Sequence, residues 1–198
     1  MLKNLLLGTS NMGKQVELRA LFGDPSFSLI TPQDIGLLIS VAETGATYEE
    51  NALIKAKAFC EASGLAALAD DTGLEVDALE GAPGLYSARF SPKPSATDAD
   101  RRALLISRLH GFPQPWSARF TCTMALALPD GRTFICDGQC EGEITADERG
   151  ESGFGYDRIF LCANTGSTMA ELALDEKNQI SHRAIAAAKM REILQTVL

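Results

Sequence analysis

A chain of 198 residues, 45% hydrophobic with a mean hydropathy of zero, has enough apolar mass for one packed domain or two tightly joined lobes. Nothing in that composition signals disorder. A formal charge of −8 excludes broad nucleic-acid or anionic-membrane surfaces, which need dense Lys and Arg, but leaves room for one small anionic ligand held by local cations or a metal. The expectation is a single domain over residues 1–198, with no nucleic-acid and no membrane partner.

The first element is the apolar run Leu5 to Leu7, which stops at Gly8 and reads as a buried strand. It is far too short for a signal peptide or a membrane span, so a cytoplasmic protein is expected. A helix is predicted from Gly13 to Phe22, ended by Gly23. Strand, glycine-containing loop and helix in that order point to α/β. Thr47-Tyr48-Glu49-Glu50 predicts a capping box, followed by a buried stripe of Ala52, Leu53, Ala56, Phe59 and Cys60 and a stop at Gly64. Leu65 to Ala69 reads as a strand ending in Asp70-Asp71-Thr72-Gly73. Thr97-Asp98-Ala99-Asp100 opens a further helix that ends near Gly111. Phe120 to Leu128 alternates as a strand, Pro129-Asp130-Gly131 turns, and Thr133 to Cys136 returns antiparallel, so the sheet is expected to be mixed. A last helix carries Ala186, Met190, Ile193, Leu194 and Val197 at helical spacing.

Five cysteines in apolar segments, an odd count, read as free thiols rather than a disulfide frame. Cys136 and Cys140 would supply half a zinc site, but no second cysteine pair follows.

Three constellations carry chemistry. Gly8-Thr9-Ser10-Asn11-Met12-Gly13-Lys14-Gln15 nearly spells G-x-x-x-x-G-K-[ST], failing only where Gln15 replaces the hydroxyl. A polar loop running into a helix N-terminus still offers free N–H groups, and Lys14 adds charge, so phosphate binding is expected. An ordinary strand-to-helix turn has the same composition. Glu43, Asp70 and Asp71 form the acidic set. Adjacent carboxylates need a cation, and hard Mg²⁺ also bridges phosphates. Strand alternation separates Asp70 from Asp71, so they do not share one task; Asp-Asp-Thr-Gly is equally good turn composition. Phe154-Gly155-Tyr156-Asp157 supplies an aromatic platform in a glycine-rich approach, and Lys177, His182 and Arg183 supply hydrogen-bond donors for an oxo-purine. Structural roles for the aromatic residues and for His182 are the competing readings.

Thr9 to Lys14, Glu43 to Ala52, Ala69 to Leu74, Pro83 to Arg89, Phe154 to Asp157 and Ser181-His182-Arg183 occur in that order. Together they closely resemble the inosine/xanthosine triphosphate pyrophosphatases, over nearly the whole chain. Arg158 departs from the pattern, where the family usually has proline. The resemblance implies an α/β fold with a long mixed β-sheet and flanking helices, two lobes around a central nucleotide cleft, and usually a homodimer. It also implies Mg²⁺-dependent hydrolysis of dITP, ITP and XTP to the monophosphate and pyrophosphate, which cleanses the nucleotide pool. Carried onto this chain, Thr9, Ser10, Asn11, Met12, Gly13 and Lys14 hold the triphosphate, and Glu43 and Asp71 serve the metal. Asp71 accepts the proton of the attacking water, although the residues by themselves leave Asp70 open for that role. Thr72 assists with substrate, while Phe154, Gly155, Tyr156, Asp157, Lys177, His182 and Arg183 form the base pocket. Two other functions remain in view: a P-loop-type NTPase releasing orthophosphate, against which Gln15 speaks, and a non-catalytic purine-nucleotide sensor.

Overall fold

The computed structural model describes residues 3–23 and 27–198. Leu5, Leu6 and Leu7, the apolar run of β1 (Lys3–Leu7), are all fully buried. A strand covered on both sides has no polar face to present, so the run is continuous rather than alternating. β1 lies parallel to β2 (Phe27–Ile30) and to β3 (Ala66–Val76), with Leu5 opposite both Leu29 and Ala66. β3 pairs antiparallel with the short β4 (Pro83–Gly84). β5 (Trp116–Ala127) and β6 (Thr133–Ile144) are neighbours joined by the turn at Leu128–Arg132, a connection short enough only for an antiparallel return. β7 (Phe160–Cys162) closes the order β2-β1-β3-β5-β6-β7 by pairing antiparallel with β6. The result is a mixed, seven-stranded sheet flanked by helices.

The chain divides into two compact units. The first comprises Met1–Asp71, Cys122–Gly138 and Arg183–Leu198; the second comprises Thr72–Thr121 and Gln139–His182. In the first, Leu5, Leu7, Leu68, Met124 and Leu126 share a face with Leu18, Leu21 and Phe22 of α1 (Met12–Phe22) and with Ala186, Met190 and Leu194 of α5 (His182–Val197). The opposite face presents Leu6 and the small residues Ala67, Ala69, Ala125 and Ala127 to Ala52, Ala56 and Phe59 of α2 (Tyr48–Ser63). Alanines on both partners let the α2 backbone come close to the strands, which carries its polar residues within reach of β3. Each large apolar side chain buried here contributes roughly 1.5–3 kcal/mol.

In the second unit, Leu74, Val76, Trp116, Ala118, Phe120 and Ile144 pack with Leu105 and Leu109 of α3 (Asp98–Leu109) and with Tyr156, Ile159, Phe160 and Met169. The expected helix start at Thr97 is present with a complete capping box: Thr97 Oγ1 accepts from Asp100 N–H and Asp100 accepts from Thr97 N–H. A short helix, α4 (Leu174–Ile180), carries Lys177 and ends at Ser181, whose extended backbone separates it from α5. The five cysteines are buried thiols. Among the described residues, no helix is long and apolar enough to cross a membrane.

Three local expectations change. Asp70-Asp71-Thr72-Gly73 is neither a strand end nor a turn but the middle of β3, because Leu74 and Val76 resume the buried apolar pattern and ion pairs accommodate the carboxylates. The return strand does not stop at Cys136 but continues to Ile144. Gly142 lies in that extension because a Cβ there would meet the Phe160 ring and the Leu161 carbonyl of β7. At α2 only half of the capping box forms: Thr47 accepts from Glu50 N–H at 3.1 Å, whereas the Glu50 carboxylate reaches one residue further back, to Ala46 N–H at 2.6 Å.

Candidate active site

The loop after β1 is shaped by its own short polar side chains. Thr9 Oγ1 accepts from Asn11 N–H at 3.2 Å, and Asn11 Oδ1 caps α1 by accepting from Lys14 N–H at 3.1 Å. Ser10, Asn11 and Met12 are exposed, so the loop's open side faces solvent. Gln15, the residue that breaks the P-loop pattern, is buried and donates from Nε2 to the Thr9 carbonyl at 2.8 Å. It braces the loop from beneath rather than facing a ligand. Gly8 is required by close packing, since a Cβ there would stand 2.9 Å from the Phe59 ring. Lys14 is not a loose charge: its Nζ lies 3.0 Å from Asp70 Oδ2.

Strand alternation sends Asp70 and Asp71 to opposite sides, as expected. Asp70, 2% exposed, meets Lys14 and also Arg183, whose Nε and Nη2 donate to its Oδ2 at 3.2 and 3.1 Å. Burial pushes the Asp70 carboxyl up, but the charges of Lys14, Arg183 and Lys55 outweigh it and hold the group well below the usual carboxylate range. Glu17, buried in α1, takes the remaining side of the Arg183 guanidinium through Nη1. Burial disfavours the Arg183 cation, and the two carboxylates more than compensate.

Asp71 faces α2. Its Oδ1 accepts from Lys55 Nζ at 2.7 Å and its Oδ2 from Asn51 Nδ2 at 3.3 Å. The same Lys55 Nζ donates to Glu43 Oε1 at 2.7 Å. Asn51 and Lys55 stand one helical turn apart on one face of α2. Asn51 also accepts from Gly45 N–H at 2.8 Å, tying the segment that carries Glu43 to the helix. Desolvation lowers the Lys55 pKa, but the charges of Asp71 and Asp70 and its two hydrogen bonds raise it overall. Two carboxylates from separate segments thus converge on one cation position. Oxygen donors of this kind suit a hard divalent ion such as Mg²⁺.

In the second unit, Asp157 Oδ2 accepts from Phe154 N–H at 2.9 Å and from Lys177 Nζ at 2.6 Å. Lys177 Nζ also lies 5.6 Å from the Phe154 ring centroid. The peptide after Phe154 is held from both ends: Gly155 N–H donates to Asp98 at 2.8 Å, and its carbonyl accepts from Arg102 at 2.8 Å. Arg102 is itself fixed by two bonds to Glu148. Tyr156 is a core residue whose hydroxyl donates to the Ser87 carbonyl at 2.9 Å, which leaves Phe154 as the half-buried ring of the motif. His182 is 3% exposed and stacks on Phe120, with centroids 4.7 Å apart and planes at 16°. Thr72 is half-buried in β3. Arg158 sits in a single helical turn, Asp157–Ile159, with Nη1 3.9 Å from Glu148. A cavity of about 320 Å³ opens beside Phe154, lined in part by Asp98, Arg102, Glu151 and Arg158.

Arg183 departs from its expected company. Although its neighbour His182 belongs to the second unit, Arg183 belongs to the first, and its donors meet Asp70 and Glu17. The residues that the sequence reading passed over are Glu17, Asn51 and Lys55. Glu17 and Asn51 are polar residues set beside the apolar stripes of their helices, and that mismatch was the available signal; Lys55 gave none, because a lysine on an amphipathic helix is ordinarily solvated.

A model of the Ham1 family matches residues 5–193. A curated protein of Desulforamulus reducens named dITP/XTP pyrophosphatase is 46% identical over 191 residues, covering 96% of this chain and 94% of its own. A HAM1 protein structure from Coxiella burnetii superposes with a TM-score of 0.88 at 38% identity, covering 98% of this chain and 100% of its own. The Ham1 protein structure from Staphylococcus aureus gives 0.86 at 36% identity, with 98% and 99% covered.

Proposed function

This chain belongs to the Ham1 family, and from that premise we propose that it hydrolyses deaminated purine nucleoside triphosphates (dITP, ITP and XTP) to the monophosphate and pyrophosphate. It is therefore read as a nucleoside triphosphate pyrophosphatase, the activity in the names of its curated relatives. The observation that carries the reading is the convergence of Glu43 and Asp71 on one cation position, in the same unit as the capped loop Thr9 to Lys14.

Thr9 to Lys14 would bind the phosphates through the N–H groups of the first helical turn and the Lys14 ammonium, which Asp70 keeps in place. Glu43 and Asp71 would hold Mg²⁺, which when bound supplies positive charge against the triphosphate and the departing pyrophosphate. Asp71 orients a water and takes its proton as the water oxygen bonds to the α-phosphorus and the bond to the β-phosphate oxygen breaks. Asp70 is unsuited to that task, because the cations around it keep its carboxylate from accepting a proton. Asp71 is thus the better choice between the two.

For the base, Phe154 offers a ring face, and Lys177 and His182 offer donors to O6 of hypoxanthine or xanthine. Adenine presents an amino donor at that position and would leave buried donors unpaired, a mismatch that costs orders of magnitude in rate. Arg183 acts in this scheme through Asp70 rather than on the base.

Pyrophosphate release from ITP, XTP, ATP and GTP, measured in parallel with Mg²⁺ and with EDTA, tests the proposal. Metal-dependent pyrophosphate from ITP and XTP, with little from ATP, is the expected result. Orthophosphate from ATP, or intact nucleotide throughout, would overturn it.

A further inference from the structure

Lys55 stands where a metal ion's charge would be needed. Its Nζ lies 2.7 Å from both Glu43 Oε1 and Asp71 Oδ1, and its side chain is only 11% exposed. An ammonium that bridges two carboxylates neutralises half of their charge and uses one oxygen of each. A divalent ion ligated by the same pair would share those oxygens with a second cation at close range, in a region where little water screens the repulsion. Asp71 cannot swing aside freely, since Asn51 holds its other oxygen and the residue sits in the middle of β3. Glu43 is the more exposed partner, with 31% of its side chain accessible, but Lys55 and the Gly45–Asn51 bond restrain its segment.

From this geometry we infer that Lys55 is a tethered counter-ion that competes with the metal, so that the nucleotide-free protein binds a divalent ion weakly. Loading the site requires the ammonium to leave Glu43 and Asp71, and a polyphosphate arriving with its own metal gives that ammonium a new anionic partner. Lys55 therefore couples metal occupancy to the presence of nucleotide. The site would not hold a metal, or present it to water, until a substrate brings one. This inference rests on the assignment of Glu43 and Asp71 to the metal made above.

The test is direct binding of Mn²⁺ to nucleotide-free protein, read as loss of the free-ion electron paramagnetic resonance signal and repeated with Mg²⁺ by calorimetry. Wild type, Lys55→Met, Lys55→Gln and the double variant Lys55→Met/Glu43→Gln are compared, with circular dichroism to confirm folding. The expected result is binding tighter by about tenfold or more in both single variants, because a repelling charge has been removed from the site. A gain of affinity cannot arise from a damaged fold, and two replacements of different polarity guard against one failing to fold. Equal or weaker binding in the folded variants would overturn the inference. Tightened binding that persists in the double variant would instead show that the metal lies elsewhere, and the assignment of Glu43 would fall.

Discussion

Asp70 and Asp71 are consecutive in β3, yet their carboxylates meet different cations: Asp70 binds Lys14 and Arg183, and Asp71 binds Lys55. The two-residue period of a strand separates them, and burial makes each depend on its own partners. One carboxylate is committed to structure, while the other shares its cation position with Glu43. Their substitutions should therefore fail in different ways.

Asp71→Asn is expected to keep the fold and lower kcat for pyrophosphate release by about 10²- to 10⁴-fold, the usual worth of a positioned base. Asp70→Asn is expected to lose about 3–5 kcal/mol of stability, because it leaves the Arg183 cation buried without its main partner. Steady-state rates with ITP and denaturant unfolding of both variants check this. An Asp70→Asn protein of normal stability but no turnover would reverse the assignment.

The same carboxylate sets an acid limit. The folded-state pKa of Asp70 is depressed, so its contribution to stability is complete above the unfolded value of about 3.9 and is lost as pH falls below it. Thermal unfolding followed from about pH 5 down to about pH 2 should show a steep decline below about pH 4 in the wild type and a shallower one in Asp70→Asn. Parallel curves would remove Asp70 as the source.

Arg183→Lys is expected to lower stability while leaving the ratio of ITP to ATP turnover unchanged, since the guanidinium faces Asp70 and Glu17. Lys cannot reproduce the forked contact. Competition assays with the two nucleotides decide the point: a collapse of selectivity would return Arg183 to the base.

Phe154→Ala is expected to raise KM for ITP by about 5- to 150-fold, the range of one lost base stack, with a smaller effect on kcat. Gly153→Ala should act in the same direction without touching the ring. Its φ is +76° and an added Cβ would run into the Asp157 carboxylate that holds Phe154 N–H. Equal KM values for Gly153→Ala and wild type would show that Asp157 does not position the platform.

What was legible in the sequence was local. The strand of Leu5 to Leu7, the helix starts at Thr47 and Thr97, and the stop at Gly64 follow from neighbours a few residues apart, through apolar spacing and capping chemistry. The ordered motifs also pointed to Glu43 and Asp71, which the structure brings to one ammonium, and to the loop that Asn11 caps before α1. Tertiary structure decided which charge meets which. Arg183 lies 113 positions from Asp70, and whether it reads a base or braces a carboxylate depends on helix packing that no local pattern encodes. Asp-Asp-Thr-Gly has turn composition, but the buried apolar residues before and after it and the cations of α1, α2 and α5 turn it into strand interior. Lys55 was hidden for the same reason. A lysine on an amphipathic helix is ordinarily solvated, and only the close approach of α2 to alanine-lined strands brings its ammonium to Glu43 and Asp71, where desolvation makes the pairing strong.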